Sequence, residues 1–381
     1  MSAIIRDGDE EMKKLICVLL VLFTMSACSE KAVSKHTTTM TDVGFDTFVN
    51  FTGYTTNEAQ FEEYASDLKK EFKRYDKLFD KYNDYEGTHN IKTINDQAGI
   101  KPVKVDKEII ELLNLSKKYY EISNHQFDIT MGEVLNIWHD YRDEGVKANE
   151  EGKESRIPSK AELEKAEKDS GWDKIEINEK DSTVYIKDKN TSLDVGGVAK
   201  GFTVEKVAKK LEADGLKHGI INAGGNVRLI GEKPDGDAWS VGLQIPNANE
   251  LSSDSLLSLK FSESNSFVTS GDYQRYYMYK NEIMHHIIDP DTLFPAKHAR
   301  SVTVICKDSG IADILSTTLY TMTYEEGTAL LKNLQAKEGF SVEAIWVYDD
   351  QVKPEKGADT IDVKGYHIAM SDGLKEHTNI K

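Results

Sequence analysis

The sequence predicts an α+β fold built as one large domain, and three observations carry that expectation. The chain has 381 residues, 39% apolar and 30% charged, which is enough for a sizeable core in an ordinary soluble composition. Strand and helix patterns interleave without the steady βα rhythm of a doubly wound parallel sheet. The stretch "KIEINEKDSTVYIKDKNTSLDV" alternates and then turns, the pattern of an antiparallel hairpin. No internal repeat is present.

The N-terminus reads separately. "MKKLICVLLVLFTMSACSE" (Met12 to Glu30) has two lysines, a short apolar run and small residues before Cys28. A spanning helix needs about 20 apolar residues, so residues 1–28 are expected to be a signal peptide. No polar residue interrupts the run to make an amphipathic buried helix. "MSAC" resembles a bacterial lipobox, with Met where Leu is commoner. The expected location is therefore extracytoplasmic, with the chain lipid-anchored to the membrane through Cys28. The acidic "MSAIIRDGDEE" is wrong for a leader's basic start, which makes Met12 the alternative first residue. "SEKAVSKHTTTMTD" reads as a polar tether over 29–44, leaving 45–381 as the domain. Cys17 and Cys28 belong to the leader region, so Cys306 is left alone and neither an intrachain disulfide nor a cysteine zinc site is expected. A formal charge of −17 argues against nucleic acid, which demands a basic face.

Within the domain, "FDTFVNFTGY" reads as a strand. Phe61, Tyr64, Leu68, Phe72, Tyr75 and Leu78 then recur at helical spacing behind Asn57, a plausible N-cap. A second helix begins after Asp106. Asp140 to Asp169 reads as a solvated excursion with one short helix opened by a Ser159–Glu162 capping box. After a helix from about Thr203 to Ala213, "HGIINAGGNVRLIG" and "WSVGLQI" read as strands, as do runs through "SFVTSGDYQRYYMYKNEIMHHIID". "SVTVICKD" is a strand, "GIADILSTTLYTM" and "EEGTALLKNL" are helices, and "VEAIWVYDD" reads as the last strand.

Three glycine sites punctuate this order. "LDVGGVAKG" puts Gly196, Gly197, Lys200 and Gly201 between a strand and a helix. A helix N-terminus offers unpaired amides to an anion, bare glycines let it approach, and Lys200 adds full charge. A tight packing turn explains the same residues equally well. Gly224 and Gly225 in "INAGGNV" follow a strand directly. Ser270 and Gly271 in "TSGDYQR" precede Arg275, which can fork onto phosphate. Together they suggest backbone wrapped around an extended polyanion or dinucleotide. Asp313 and Thr317 lie four apart on one helix face, a hard-oxygen pair suited to Mg²⁺ or simply a solvated face. His286 stands three residues before Asp289, where a strand histidine with a local partner is the plainer reading.

The motifs "LDVGGVAKGFTVE", "NAGGN", "SGDYQR", "HIIDPDT" and "ADILST", in that order, resemble the ApbE family of bacterial FAD:protein FMN transferases. "LFDKYNDYEGTHNIKTIN" and "FDITMGEVLNIW" are similar to its earlier blocks. Leu293 stands where the family has glycine, Ile129 and Glu133 where proline is common, and Asp80 or Gly87 where a serine is usual. The resemblance implies an ApbE-like, T-fold-like single domain of mixed or antiparallel sheets packed by helices. It implies Mg²⁺ and FAD, with FAD as substrate. FMN passes by a phosphoester to a Thr or Ser of an exported acceptor flavoprotein, and AMP leaves.

On that resemblance Tyr82, Thr130, Asp194, Gly196, Gly197, Lys200, Gly224, Gly225, Ser270, Gly271, Arg275 and His286 bind the dinucleotide. Asp313, Thr317 and the Ala199 carbonyl hold the metal. His286 acts as base, its ordinary pKa near working pH, and Asp289 orients it or joins the metal site. An Mg²⁺-dependent FAD pyrophosphatase, a non-catalytic flavin-binding lipoprotein and a transporter's solute receptor are the rival readings. The last predicts two similar lobes, which the sequence lacks.

Overall fold

A computed structural model describes residues 32–246 and 254–378. The leader, Cys28 and Met12 lie outside the described residues. In chain order the elements are β1 (Ser34–Met40), β2 (Val49–Thr55), α1 (Glu58–Phe79), α2 (Ile91–Asp96), β3 (Val103–Lys104), α3 (Lys107–Ile122), α4 (Gly132–Glu150), α5 (Lys160–Glu167), β4 (Ile175–Asn178), β5 (Thr183–Ile186) and α6 (Ala199–Ala213). The second half holds β6 (Gly219–Ala223), β7 (Asn226–Ile230), β8 (Trp239–Gln244), β9 (Ser255–Phe261), β10 (Ser266–Gly271), β11 (Tyr276–Tyr279), β12 (Glu282–His285), β13 (Ser301–Cys306), α7 (Ser309–Thr321), α8 (Tyr324–Glu338), β14 (Val342–Tyr348), β15 (Thr360–Val363) and β16 (Tyr366–Met370).

The frame is a nine-stranded sheet in the order β1-β2-β6-β7-β10-β13-β14-β16-β15, antiparallel at every pairing. Strand alternation divides its two faces. Phe51, Ile221, Val268, Val302 and Val304 join the main core with α1, α6 and α7. Leu229, Phe267, Ile305 and Ile345 point the other way, against the β8–β9 hairpin. A smaller cluster under α4 and α5 includes Trp138, Tyr277 and Leu293. The expected α+β class is what the chain adopts.

Local signals explain the elements that frame the site. Asn57 caps α1, its side chain accepting from the Gln60 amide at 3.0 Å, and the helix buries the predicted aromatic face. The Ser159–Glu162 capping box opens α5 as expected. At the β6–β7 turn Gly224 has φ +52° and Gly225 φ +91°. Two consecutive positive φ values between paired strands make a type I′ hairpin turn, which strongly prefers glycine.

Several expectations need correction. Ser34–Met40 is strand β1, paired residue by residue with β2, so the middle of the expected tether is part of the sheet. Its run of threonines suits an edge strand better than a solvated linker. "HGIINAGGNVRLIG" is two strands, because the glycine pair turns the chain. The helix entering the excursion persists to Glu150, and β15 and β16 follow the strand read as last. Helix α6 starts at Ala199, four residues early, so Lys200 and Gly201 are helical.

Candidate functional site

Helices α6 and α7 cross so closely that Gly201 touches α7. A Cβ built on Gly201 would lie 2.4 Å from the Ser309 carbonyl oxygen and 2.4 Å from Asp313 Cβ. The third glycine of "GGVAKG" is therefore there for helix contact. Its freed space brings its own amide onto Asp313, donating to Oδ2 at 2.7 Å.

One turn further along α7, Thr317 reaches the bend itself. A Cβ on Gly197 would sit 3.6 Å from Thr317 Oγ1. From β10, the Ser270 hydroxyl lies 2.9 Å from Ser316 Oγ and 3.3 Å from Thr317 Oγ1. Lys200 donates to the Gly224 carbonyl at 3.0 Å, tying the bend to the β6–β7 turn. Asp194 accepts the Gly196 amide at 2.8 Å and pairs with Lys81 at 2.7 Å. Burial works against the Asp194 charge, yet Lys81 and the Gly196 amide hold its pKa below the ordinary value. The bend, Lys200, Asp194, Gly224, Ser270, Asp313 and Thr317 thus lie together.

Asp313 is buried, and desolvation pushes its pKa up to about 6 despite the opposing pull of Lys200, the Gly201 amide and the Asn226 side chain. Asn226 is itself buried, and its Oδ1 has no hydrogen-bond partner among the described residues. A desolvated carboxylate beside an orphaned amide oxygen is a setting that a cation would satisfy. Among the described residues no group of three or more His, Cys, Asp or Glu could hold a metal. The available donors are one carboxylate, the Thr317 hydroxyl and the Ala199 carbonyl, which already accepts the Thr203 hydroxyl at 2.7 Å. Such hard, mostly neutral oxygens suit Mg²⁺.

His286 directly follows β12. Burial, then neighbouring His285, lowers its pKa to about 3, opposed by a backbone hydrogen bond to Arg275. The reason given for its role as base, an ordinary pKa near working pH, therefore does not hold here. Its Nδ1 is buried without a partner among the described residues.

Other predicted residues are otherwise committed. Both Asp289 carboxylate oxygens serve their own loop, accepting the Asp291 amide at 2.9 Å and the Thr292 hydroxyl at 2.9 Å. The aspartate spaced to orient His286 instead closes a turn. Buried Thr130 donates to Asp128 at 2.7 Å and accepts the Gly171 amide at 2.8 Å, which leaves it structural. Arg275 is half exposed, 4.0 Å from Asp46. Gly271 lies against its neighbour's ring, a Cβ there falling 2.5 Å from Tyr273 Cε1. Tyr82 is 55% exposed, its ring 5.0 Å from Lys81 Nζ and so next to the Asp194 corner.

Sequence reasoning missed Lys81, Asn226 and the Arg300 fork. Buried Arg300 gives Asp272 two hydrogen bonds, at 2.7 and 3.2 Å, and a third to Asp349, clamping the turn that carries Ser270 and Arg275. Asn226 and Asp272 lie inside the quoted motifs. A polar residue flanking a glycine turn was the available signal.

Leu293 sits at φ +64°, in the region that favours glycine, with its side chain buried in the third cluster. Its carbonyl accepts the Trp138 indole N–H at 2.8 Å. The left-handed turn of the glycine-bearing pattern is kept, and burial of the leucine offsets the backbone strain.

The fold and site define an α+β protein with a cluster of hard oxygens set against a glycine bend and a lysine. The ApbE family matches residues 45–341, and the chain belongs to that family. It is 28% identical over 75% of its length to the FAD:protein FMN transferase of Klebsiella pneumoniae, covering 82% of that protein. It is 28% identical over 68% of its length to the enzyme of the same name from Treponema pallidum, covering 71% of it. Among solved structures, the ApbE protein of Thermotoga maritima is similar at TM-score 0.71 and 25% identity, with 90% of this chain and 99% of that one covered. The flavin transferase ApbE of Vibrio cholerae shares the fold at TM-score 0.66 and 19% identity, covering 91% and 99%.

Proposed function

We propose that this protein is a Mg²⁺-dependent FAD:protein FMN transferase that acts on an exported flavoprotein. The observation that carries the reading is the convergence of Asp313, Thr317 and Ser270 on the Gly196–Gly201 bend beside Lys200. The names of its relatives support the activity.

In this reading the FAD diphosphate lies along the bend, where Lys200 and the start of α6 oppose its charge. Asp313, Thr317 and the Ala199 carbonyl would hold Mg²⁺, which neutralises phosphate charge when bound. A Thr or Ser hydroxyl of the acceptor attacks the phosphorus on the FMN side, the bond to the AMP oxygen breaks, and AMP leaves. His286 is the base in this reading, its Nδ1 having no hydrogen-bond partner among the described residues. Its pKa, about 3, needs to rise for that work, and a bound diphosphate raises it, because a nearby anion favours the imidazolium. Phosphoryl transfer asks the protein mainly for positioning and charge neutralisation, and the fixed bend supplies both. Tyr82 offers its exposed ring to the flavin.

The decisive experiment incubates the protein with FAD, Mg²⁺ and a candidate acceptor and looks for a fluorescent acceptor band in a denaturing gel. Free FMN with no labelled protein would mean that water is the true acceptor and that the pyrophosphatase reading holds. The leader motivates a further proposal, that the chain works outside the cytoplasm on a Cys28 lipid. Cys28→Ser should then move it from the membrane fraction to the soluble one.

A further inference from the structure

Arg300 stands immediately before β13, and its side chain ties together the ends of three neighbouring strands. In the sheet β13 lies between β10 and β14. Asp272 follows β10, Asp349 follows β14, and the guanidinium donates to both carboxylates. The main chain repeats the link. The Arg300 amide donates to the Val347 carbonyl at 2.8 Å, and the Asp272 amide to the Arg300 carbonyl at 3.3 Å. Asp349 is held by its own loop as well, accepting the Gln351 and Val352 amides at 2.8 and 2.9 Å. Arg300 is 2% exposed and Asp272 4%, and Asp272 has no other ion pair among the described residues.

A buried ion pair is a poor source of stability, because desolvating the charges costs about as much as their attraction gains. What a planar fork with fixed partners does supply is geometry. Here that geometry passes to residues 272–275, the loop joining β10 to β11. Just before the loop, Ser270 places its hydroxyl 3.3 Å from Thr317 Oγ1. At its end, the Arg275 main chain hydrogen-bonds the His286 ring. That bond favours the protonated ring, so the Arg275 carbonyl is the acceptor. Nδ1 has no partner among the described residues, so the donor is Nε2. Neutral His286 is thereby held as the Nε2–H tautomer, with Nδ1 left to accept a proton. The β11–β12 ladder stops at the Tyr276–His285 pair, one residue short of both groups, and does not fix this contact. Nor does the Arg275 side chain, which is half exposed and 4.0 Å from an exposed Asp46.

We infer that Arg300 is a positioning residue for the base: through Asp272 it sets the loop whose Arg275 carbonyl orients His286. Buried at the strand ends, Arg300 acts through that loop and not on the substrate. The inference rests on the reading of the protein as a transferase with His286 as base, and adds to it the group that keeps the base in its working tautomer. Lysine is no substitute at this position. An ammonium is a single point of charge and cannot span two carboxylates as a fork does.

The test reads the His286 ring directly, with turnover alongside it. NMR of the whole protein, carrying isotope-labelled histidine and free of FAD, reports the ring tautomers, and His286→Gln identifies the His286 signals. Wild type is expected to show Nε2–H, and Arg300→Lys a mixture of the two neutral tautomers. A wild-type ring protonated on Nδ1, or a ring unchanged in Arg300→Lys, overturns the inference. With FAD, Mg²⁺ and an acceptor, Arg300→Lys should lose roughly ten- to hundredfold in kcat, the cost of misplacing a group by about an ångström. Its KM for FAD should stay within about twofold, because ground-state binding is untouched. Arg300→Ala should lose at least as much and recover part of it in millimolar guanidinium, which refills the vacated site. A kcat that falls only in step with the folded fraction makes the role structural and ends the proposal. Should Arg300→Ala not fold, Asp272→Asn weakens the same link from its other end at constant size, and the same loss of kcat is expected. A tautomer shift of this kind in a protein whose wild type never labels an acceptor would keep the positioning role and refute the transferase.

Discussion

The Gly201 amide donates to Asp313 Oδ2 at 2.7 Å, from the first turn of one helix to the side chain of another 112 residues later. That bond exists because Gly201 has no Cβ. A methyl there would meet the Ser309 carbonyl and Asp313 Cβ at 2.4 Å, and backbone cannot rotate away as a long side chain can. Gly201→Ala is expected to push α6 and α7 apart and destabilise the protein by about 1–3 kcal/mol. Urea unfolding together with FAD turnover checks this. A variant with a wild-type midpoint and full activity would show that the contact is dispensable.

Asp313 carries an intrinsic cost. Its folded pKa, about 6, lies above the ordinary 3.8, so the folded state loses stability as pH rises through that interval. Asp313→Asn keeps an acceptor for the Gly201 amide and removes the buried charge. In EDTA at pH 7.5 the variant should be more stable than wild type by roughly 1–3 kcal/mol. Adding Mg²⁺ should raise the wild-type melting temperature and leave the variant's unmoved. A variant that melts lower than wild type in EDTA contradicts the argument.

Acid should find a different weak point at His285. This ring is buried, with Nε2 2.8 Å from the Ala296 carbonyl and Nδ1 accepting the Ile287 amide at 3.2 Å. Those partners require the neutral form, and burial lowers its pKa to about 4. Its contribution is complete above pH 6.5 and is lost as pH falls towards 4. Between pH 7.5 and 4.5 wild type should lose about 2–3 kcal/mol more than His285→Gln. Parallel pH profiles of the two urea midpoints would refute this.

Leu293 sets strain against burial. Leu293→Gly relieves about 1 kcal/mol of left-handed backbone cost but empties a buried leucine site worth about 2–5 kcal/mol. The net expectation is a loss of about 1–4 kcal/mol with the turn intact, because the Trp138 bond goes to a main-chain carbonyl. Unfolding curves measure the first part. An unshifted tryptophan emission maximum checks the second.

The amino-acid sequence by itself determined the elements and most of the motif residues of this protein. The spacing of Phe61, Leu68 and Phe72, the Asn57 cap and the glycine pair at 224–225 act within a turn or two of chain, so their consequences can be read locally. Only tertiary structure decided what those residues meet. The third glycine of the bend looked like part of an anion loop and proved to be a helix contact, since nothing local reports Ser309 and Asp313 across 100 residues. Asp289 had the right spacing for a partner of His286, but two donors of its own loop lay closer. Ser34–Met40 looked polar enough to be a tether, and a free strand edge on β2 recruited it. Hydrogen-bond partners and desolvation are set by whatever packs alongside in space. That is why the low pKa of His286, the high one of Asp313 and the Arg300 fork appear only once the sheet and helices are assembled.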